Sequence, residues 1–243
     1  KDIKTGGSYL ENIVFTASPL STKKKNKQHK DWVPILVNEE SIKKGKDFYE
    51  EHKQYFEYAE KETGVATSDI IAILNWESRL GKYKGEYDVF KIFTNQYFHI
   101  DEIEFELFQT GHYKKDGAMK KTDALKRIKK IKKRAFNNFS QLLIQAKIRG
   151  FDPKTVKGSW AGAIGIPQFM PASMKYAVDG DKDGNVDLNT IPDAISSAAN
   201  YLKKHKYKER GREYAFRRYN PNDMYVRGVN LYSEKFLISS VLE

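Results

Sequence analysis

The chain has 243 residues, is 40% hydrophobic and carries a formal net charge of +11. That is enough apolar material for one large core or two small ones, while the longest unbroken apolar run, residues 70–74, is far too short to span a bilayer. No cysteine is present, so disulfides play no part in the fold, and the positive charge favours an anionic partner without choosing between nucleic acid, acidic lipid and an acidic wall polymer.

Residues 17–30, ASPLSTKKKNKQHK, are polar and basic with few large apolar side chains, which predicts an exposed N-terminal basic arm over 1–31. The chain begins at Lys1 rather than at a methionine, as a processed or trimmed product would. Helical periodicity runs from Glu40 to Lys61. A second helix is predicted over 68–80, capped by Thr67 or Ser68, and a third over 97–109. Residues 120–134, KKTDALKRIKKIKKR, form a basic amphipathic helix with Leu125, Ile128 and Ile131 as its seam. Its polar side reads as a solvated face or as a contact with an anionic wall or membrane surface. Helix continues over 136–149 and stops at Gly150. Pro192 opens another helix that runs to about Lys204. Strand signals are weak throughout, so the fold is expected to be mainly helical.

The second helix contains an anomaly. Ile70, Ile73, Leu74, Glu77 and Leu80 recur at helical spacing, which places Glu77 on the apolar stripe beside Trp76. Asn75, Ser78, Arg79 and Lys82 take the other side. A carboxylate turned towards a core is costly unless it is paired or held protonated. Arg79 is two residues away and faces elsewhere.

Two loops follow. In KGSWAGAIGIPQFMPAS, residues 157–173, glycines and prolines break regular structure, and Ser159, Gln168 and Phe169 supply a hydroxyl, an amide and a ring. That set suits sugar recognition, although a packed structural loop reads equally well. In VDGDKDGNVDLNTIPDA, residues 178–194, Asp179, Asp181 and Asp183 stand at positions 1, 3 and 5 of a calcium loop. Gly184 stands at the sharp turn and Asn185 at the carbonyl position. Position 12 is Thr190 instead of the usual glutamate, and Asp193 is the next carboxylate.

Together with PDAISSAANYLKKH and RRYNPNDMYVRGV, these stretches occur in an order that resembles the membrane-bound lytic transglycosylase B family, over about residues 40–235. The resemblance implies a mainly α (α+β), lysozyme-like fold with an EF-hand-like calcium loop, and a catalytic domain over 32–243. It implies Glu77 as the catalytic acid. Substrate-binding roles are implied for Ser159, Gln168, Phe169, Tyr201, Tyr219, Asn220 and Tyr225. A structural Ca2+ is implied on Asp179, Asp181, Asp183, Asn185 and Asp193, since the family's loop also ends on an aspartate beyond position 12.

The implied activity is cleavage of the β-1,4 bond between N-acetylmuramic acid and N-acetylglucosamine without water, giving 1,6-anhydromuramyl ends. Ordinary glycosidases use two carboxylates, whereas the apolar-stripe pattern offers one. Peptidoglycan in the periplasm or cell envelope is the implied substrate, with a peripheral or lipid-anchored membrane association and a monomeric state expected. No nucleic-acid motif is present. A hydrolytic muramidase, or an inactive calcium-stabilised wall-binding module, are the alternatives. Only 17 residues lie between Tyr201 and Tyr219, where relatives often carry a much longer insert.

Overall fold

The structure is a computed structural model that describes residues 31–99 and 121–241. The expected arm, and residues 100–109 of the helix expected over 97–109, lie outside the described residues. In chain order the elements are α1 (residues 31–36), α2 (Glu39–Thr63), α3 (Thr67–Ser78), β1 (Tyr87–Asp88), α4 (Val89–Phe98), α5 (Lys121–Arg149) and β2 (Lys157–Gly158). A 3-10 helix (Pro171–Tyr176) precedes α6 (Ile191–Lys204), α7 (Tyr207–Arg210), α8 (Arg212–Tyr219) and α9 (Asp223–Val241). The fold is mainly helical, as the weak strand signal predicts.

Two compact units divide the chain. The first contains residues 86–163 and 170–172, and the second contains 28–85, 164–169 and 173–243. In the first unit, β1 and β2 form a short antiparallel pair, with Tyr87 opposite Gly158 and Asp88 opposite Lys157. Helix α4 packs along α5. Ile92 and Phe93 on α4, and Ile128, Ile131, Ala135, Leu142 and Ala146 on α5, are buried. Phe90 and Phe139 meet edge to face with ring centroids 5.3 Å apart. The basic segment 120–134 and its expected continuation over 136–149 belong to one unbroken helix. It ends where predicted, with Gly150 in the left-handed region at φ 75°.

The second unit is built around α3. Ile70, Ile71, Ala72, Ile73 and Leu74 are fully buried, because α2, α6 and α9 all pack against this helix. Local chemistry sets the surrounding helix ends. Asn38 caps α2 by accepting the Ser41 amide at 2.9 Å, and Gly64 closes it at φ 68°. Pro192 lies in the first turn of α6.

Helix α3 departs from the sequence expectation at both ends. Neither Thr67 nor Ser68 is its N-cap. The cap is Ala66, which has no side chain to offer, and the Glu60 carboxylate accepts the Thr67 amide at 3.1 Å and its hydroxyl at 2.6 Å instead. At the other end the helix stops at Ser78. Arg79 and Leu80 both adopt positive φ, 51° and 58°, so Leu80 does not extend the apolar stripe. Asn75 and Ser78, expected on the wetter side, are buried. Asn75 donates to the Leu36 carbonyl at 3.2 Å, and Ser78 donates to Leu74 and accepts the Gly81 amide.

One buried polar cluster ties this unit together. Asp69, 1% exposed, receives Arg212 at 2.6 Å, the Ser233 hydroxyl at 2.6 Å and the Tyr207 hydroxyl. These donors come from α7, α8 and α9, and together they fix the first turn of α3 against all three. A buried carboxylate is tolerated only with such a full set of donors.

Candidate active site

Glu77 occupies the last turn of α3, in a cleft of about 320 Å³ lined also by Trp32, Leu36, Trp76, Ser78, Arg79 and Tyr83. Among these lining residues it is the sole acid. Its Oε1 accepts a hydrogen bond from the Tyr225 hydroxyl at 2.7 Å. Burial pushes its pKa up to about 7, against a partial pull downward from Tyr225. The negative end of the helix dipole also disfavours the carboxylate. A carboxyl in this setting is poised between donating and accepting a proton near neutral pH.

Tyr225 is fully buried in the first turn of α9, where Asn222 accepts the Met224 and Tyr225 amides at 2.9 and 3.2 Å. Its ring meets Trp76 edge to face at 5.6 Å. Burial raises the phenol well above its ordinary range, and the Glu77 charge raises it further. Tyr225 therefore stays protonated and serves as a hydrogen-bond donor to Glu77. The close approach of α9 to α3 depends on Gly228, where a Cβ would lie 2.1 Å from the Trp76 ring. Gly228→Ala is expected to destabilise the protein by about 1–3 kcal/mol. A thermal melt unchanged by this substitution would show that the two helices separate freely.

Phe169, Tyr201 and Tyr219 of the second unit pack together as a wall. Tyr219 donates to the Pro167 carbonyl at 2.6 Å and packs on Phe169 and Tyr201 at 5.9 and 4.7 Å. Tyr201 donates to the Arg218 carbonyl at 2.6 Å and stacks on His205. Phe169 and Tyr201 are buried, so their rings brace this wall from within and offer no open face.

The segment carrying Gln168 is a tight reversal closed by reciprocal hydrogen bonds between Ile164 and Phe169, at 2.8 and 3.0 Å. Gln168 stands in the left-handed region at φ 51°, a strained setting for a residue other than glycine. Its amide donates to the Gly165 and Lys84 carbonyls, at 2.8 and 3.3 Å. Gly165, at φ 69°, has no room for a side chain, since a Cβ there would lie 2.4 Å from the Leu188 carbonyl oxygen. Asn220 ends α8 and accepts the Asn222 amide at 3.2 Å. Ser159 belongs to the first unit, where its hydroxyl accepts the Ala163 amide at 3.1 Å.

The sequence reading missed the lining of the cleft. Trp32 and Tyr83 are exposed aromatics, and the Arg79 guanidinium lies 5.6 Å over the Tyr83 ring. The available signal was the tyrosine and arginine flanking the short Gly81 turn. A second hollow of about 540 Å³ shares Leu36 and Arg79 with this cleft and carries Glu40, Asp47 and Glu51.

In the acidic loop, the Asp179, Asp181 and Asp193 carboxylates lie within 4.8 Å of one another. Asp193 is buried and accepts the Gly180 and Asp187 amides at 2.7 and 2.6 Å. Burial raises its pKa, with further contributions from Asp181 and Asp179. Asp179 is partly desolvated, but the Gly184 and Lys182 amides outweigh that and hold it below the usual range. Gly184, at φ 91°, makes the turn. Asp183 is not in the three-carboxylate group and accepts the Asn185 amide at 2.7 Å. The donor set is hard oxygen and mutually repulsive, which fits a divalent cation such as Ca2+.

A helical domain with one protonatable carboxyl in a cleft, and an acidic loop leading into a helix, defines a restricted class. The chain belongs to the transglycosylase SLT domain family, which it matches over residues 8–217. It is 29% identical over 171 residues to the membrane-bound lytic murein transglycosylase B of Escherichia coli K12, a match covering 70% of this chain and 40% of that protein. The match therefore spans less than half the length of that relative. Its fold is that of the soluble lytic transglycosylase SltB1 from Pseudomonas aeruginosa, with a TM-score of 0.68 and 23% identity over 86% of this chain and 82% of that one. The Escherichia coli lytic transglycosylase Slt35 in complex with calcium is similar at a TM-score of 0.67 and 19% identity, over 88% and 80% of the two chains.

Proposed function

We propose that this protein is a peptidoglycan lytic transglycosylase that acts in the cell envelope, with Glu77 as its sole acid and base. The observation that carries this reading is a single carboxyl with a pKa of about 7, held by Tyr225 in a cleft with no second acid among its described lining residues. Family membership and the murein transglycosylase relative support the same reading.

Protonated Glu77 gives its proton to the glycosidic oxygen as the bond from C1 to that oxygen breaks. The muramyl N-acetyl oxygen bonds to C1 and takes the place of a second carboxylate. The Glu77 carboxylate, steadied by the Tyr225 hydroxyl, then removes the proton from the C6 hydroxyl. O6 bonds to C1, the N-acetyl group leaves C1, and Glu77 is protonated again. The step consumes no water. Asn220 orients the N-acetyl group. Gln168 supplies a sugar contact. Phe169, Tyr201, Tyr219 and Tyr225 hold the shape of the site.

A hydrolytic muramidase is favoured by one feature, the carboxylates of Glu40, Asp47 and Glu51 in the neighbouring hollow. Mass spectrometry of digested peptidoglycan separates the two readings. Anhydromuramyl ends from the parent protein, absent with Glu77→Gln, are expected. Reducing ends instead would establish hydrolysis.

A structural Ca2+ would be held by Asp179, Asp181 and Asp193, with Asp183 and Asn185 completing the loop. The ion would neutralise three converging carboxylates and fix the start of α6, with no part in the chemistry. Binding of the folded state alone stabilises by about 2.7 kcal/mol at a hundredfold excess over Kd. Calcium is therefore expected to raise Tm by several degrees, and Asp181→Ala to abolish that rise. An intact protein whose melting is indifferent to calcium would remove the site.

A further inference from the structure

The basic amphipathic segment of the sequence takes no part in the proposed catalysis. In the structure it belongs to α5, which uses one face to pack on α4 and leaves the opposite face in solvent. The free face has two halves. Its N-terminal half carries Lys129, Lys130 and Lys133, all exposed. Its C-terminal half carries Phe136, Leu143, Ile144 and Ile148, which are 53%, 40%, 46% and 70% exposed. At 100° per residue these side chains fall on one broad stripe, opposite the buried Ile131, Asn138, Leu142 and Gln145. No aspartate or glutamate occurs between Ala124 and Arg149. Tyr97 packs on Phe136 with ring centroids 5.3 Å apart, and next to it Phe98 is 66% exposed.

Isolated exposed apolar residues are ordinary, but four on one stripe of one helix, continued by Phe98, form a patch of the kind that marks an interaction surface. The charge pattern selects the occupant. A wall polyanion would use the lysines and leave the isoleucines and phenylalanines without a role. A bilayer interface uses both at once: anionic headgroups attract the lysines, and the acyl boundary takes up the aliphatic and aromatic side chains. No helix among the described residues is long and apolar enough to cross a membrane, so this contact lies on the surface of the bilayer. Helix α5 is already folded against α4, so docking carries little of the ordering cost that an unfolded segment would meet.

We infer that the free face of α5 is a docking surface for anionic lipid bilayers. The lysines of its first half bind phosphate headgroups, and Phe136, Leu143, Ile144 and Ile148 enter the interface. The surface lies on the helix itself, so it needs no covalent lipid and acts independently of Glu77.

The test is sedimentation with vesicles of phosphatidylethanolamine and phosphatidylglycerol, and with vesicles of phosphatidylcholine alone. The absence of cysteine allows a polarity-sensitive dye to be placed at Ile148→Cys, with Glu234→Cys on α9 as the comparison. Sedimentation with the anionic vesicles only is expected, with a blue shift from the dye at 148 and none at 234. The triple variant Lys129→Glu, Lys130→Glu, Lys133→Glu is expected to bind about a hundredfold or more weakly, at roughly 1 kcal/mol per lysine near the surface. The pair Ile144→Gln, Ile148→Gln should lose binding to a similar degree with the helical circular dichroism retained, since both positions are exposed. Failure of the parent protein to sediment at low salt overturns the inference. So does salt-sensitive binding that ignores the isoleucine pair, since that is charge adhesion alone. A dimer by light scattering that the isoleucine pair dissociates, without vesicle binding, would assign the face to a second copy of the chain and also overturn it.

Discussion

Glu77→Gln is expected to lower glycan cleavage by about two to four orders of magnitude and, at pH 8, to make the protein more stable. The folded pKa of Glu77 is about 7 against an ordinary value of 4.5. Between those pH values the folded protein holds a proton that the unfolded chain has released. Stability therefore falls as pH rises through this window, and the loss is complete above pH 7. At about 1.4 kcal/mol for each pH unit, burying an ionised Glu77 costs up to about 3 kcal/mol. Glutamine is neutral at every pH and escapes that cost. The gain in Tm should be several degrees at pH 8 and should vanish near pH 4.5.

Activity should also decline above pH 7, where the acid form of Glu77 is depleted. Tyr225→Phe removes the hydrogen bond that lowers the Glu77 pKa, so the alkaline limb of the pH profile should move upward. The measurements are thermal melts and pH–rate profiles of the three proteins. A stability difference between parent and Glu77→Gln that is constant with pH would mean that Glu77 does not carry the raised pKa.

Asp69→Ala should have the largest effect on folding, a loss of about 3 kcal/mol. The substitution removes a buried acceptor and strands the Arg212 guanidinium and the Tyr207 and Ser233 hydroxyls. Arg212 keeps some access to water, which holds the cost at the lower end of the range for a broken buried pair. For a chain of this length, Tm should fall by roughly 6–12 °C. Arg212→Ala added to Asp69→Ala should cost much less than Arg212→Ala alone, because the two residues act as a pair. Additive losses in the double-mutant cycle would show that the ion pair does not hold α3, α7, α8 and α9 together.

Local chemistry made much of the fold legible. Gly150 ends α5 and Pro192 opens α6, because a cap or a fixed φ acts within a turn of its own position. The end of α3 was not legible. Arg79 and Leu80 take positive φ before any glycine or proline signals a stop. Nor did periodicity show that Asn75 and Ser78 are buried, since a helix enclosed by three others has no wet side.

By itself the sequence determined that Glu77 breaks an apolar helical stripe, that three aspartates have calcium-loop spacing, and that α5 is basic and amphipathic. These are properties of spacing along one segment, and a chain reports its own periodicity directly. Tertiary structure alone decided what surrounds the acid. Tyr225 reaches Glu77 across 148 positions, and Arg212 reaches Asp69 across 143. A carboxyl's proton affinity is set by the donors and the apolar groups within a few ångströms of it. Which side chains those are depends on how the helices pack, and helix packing is fixed by long-range contacts that no local pattern encodes.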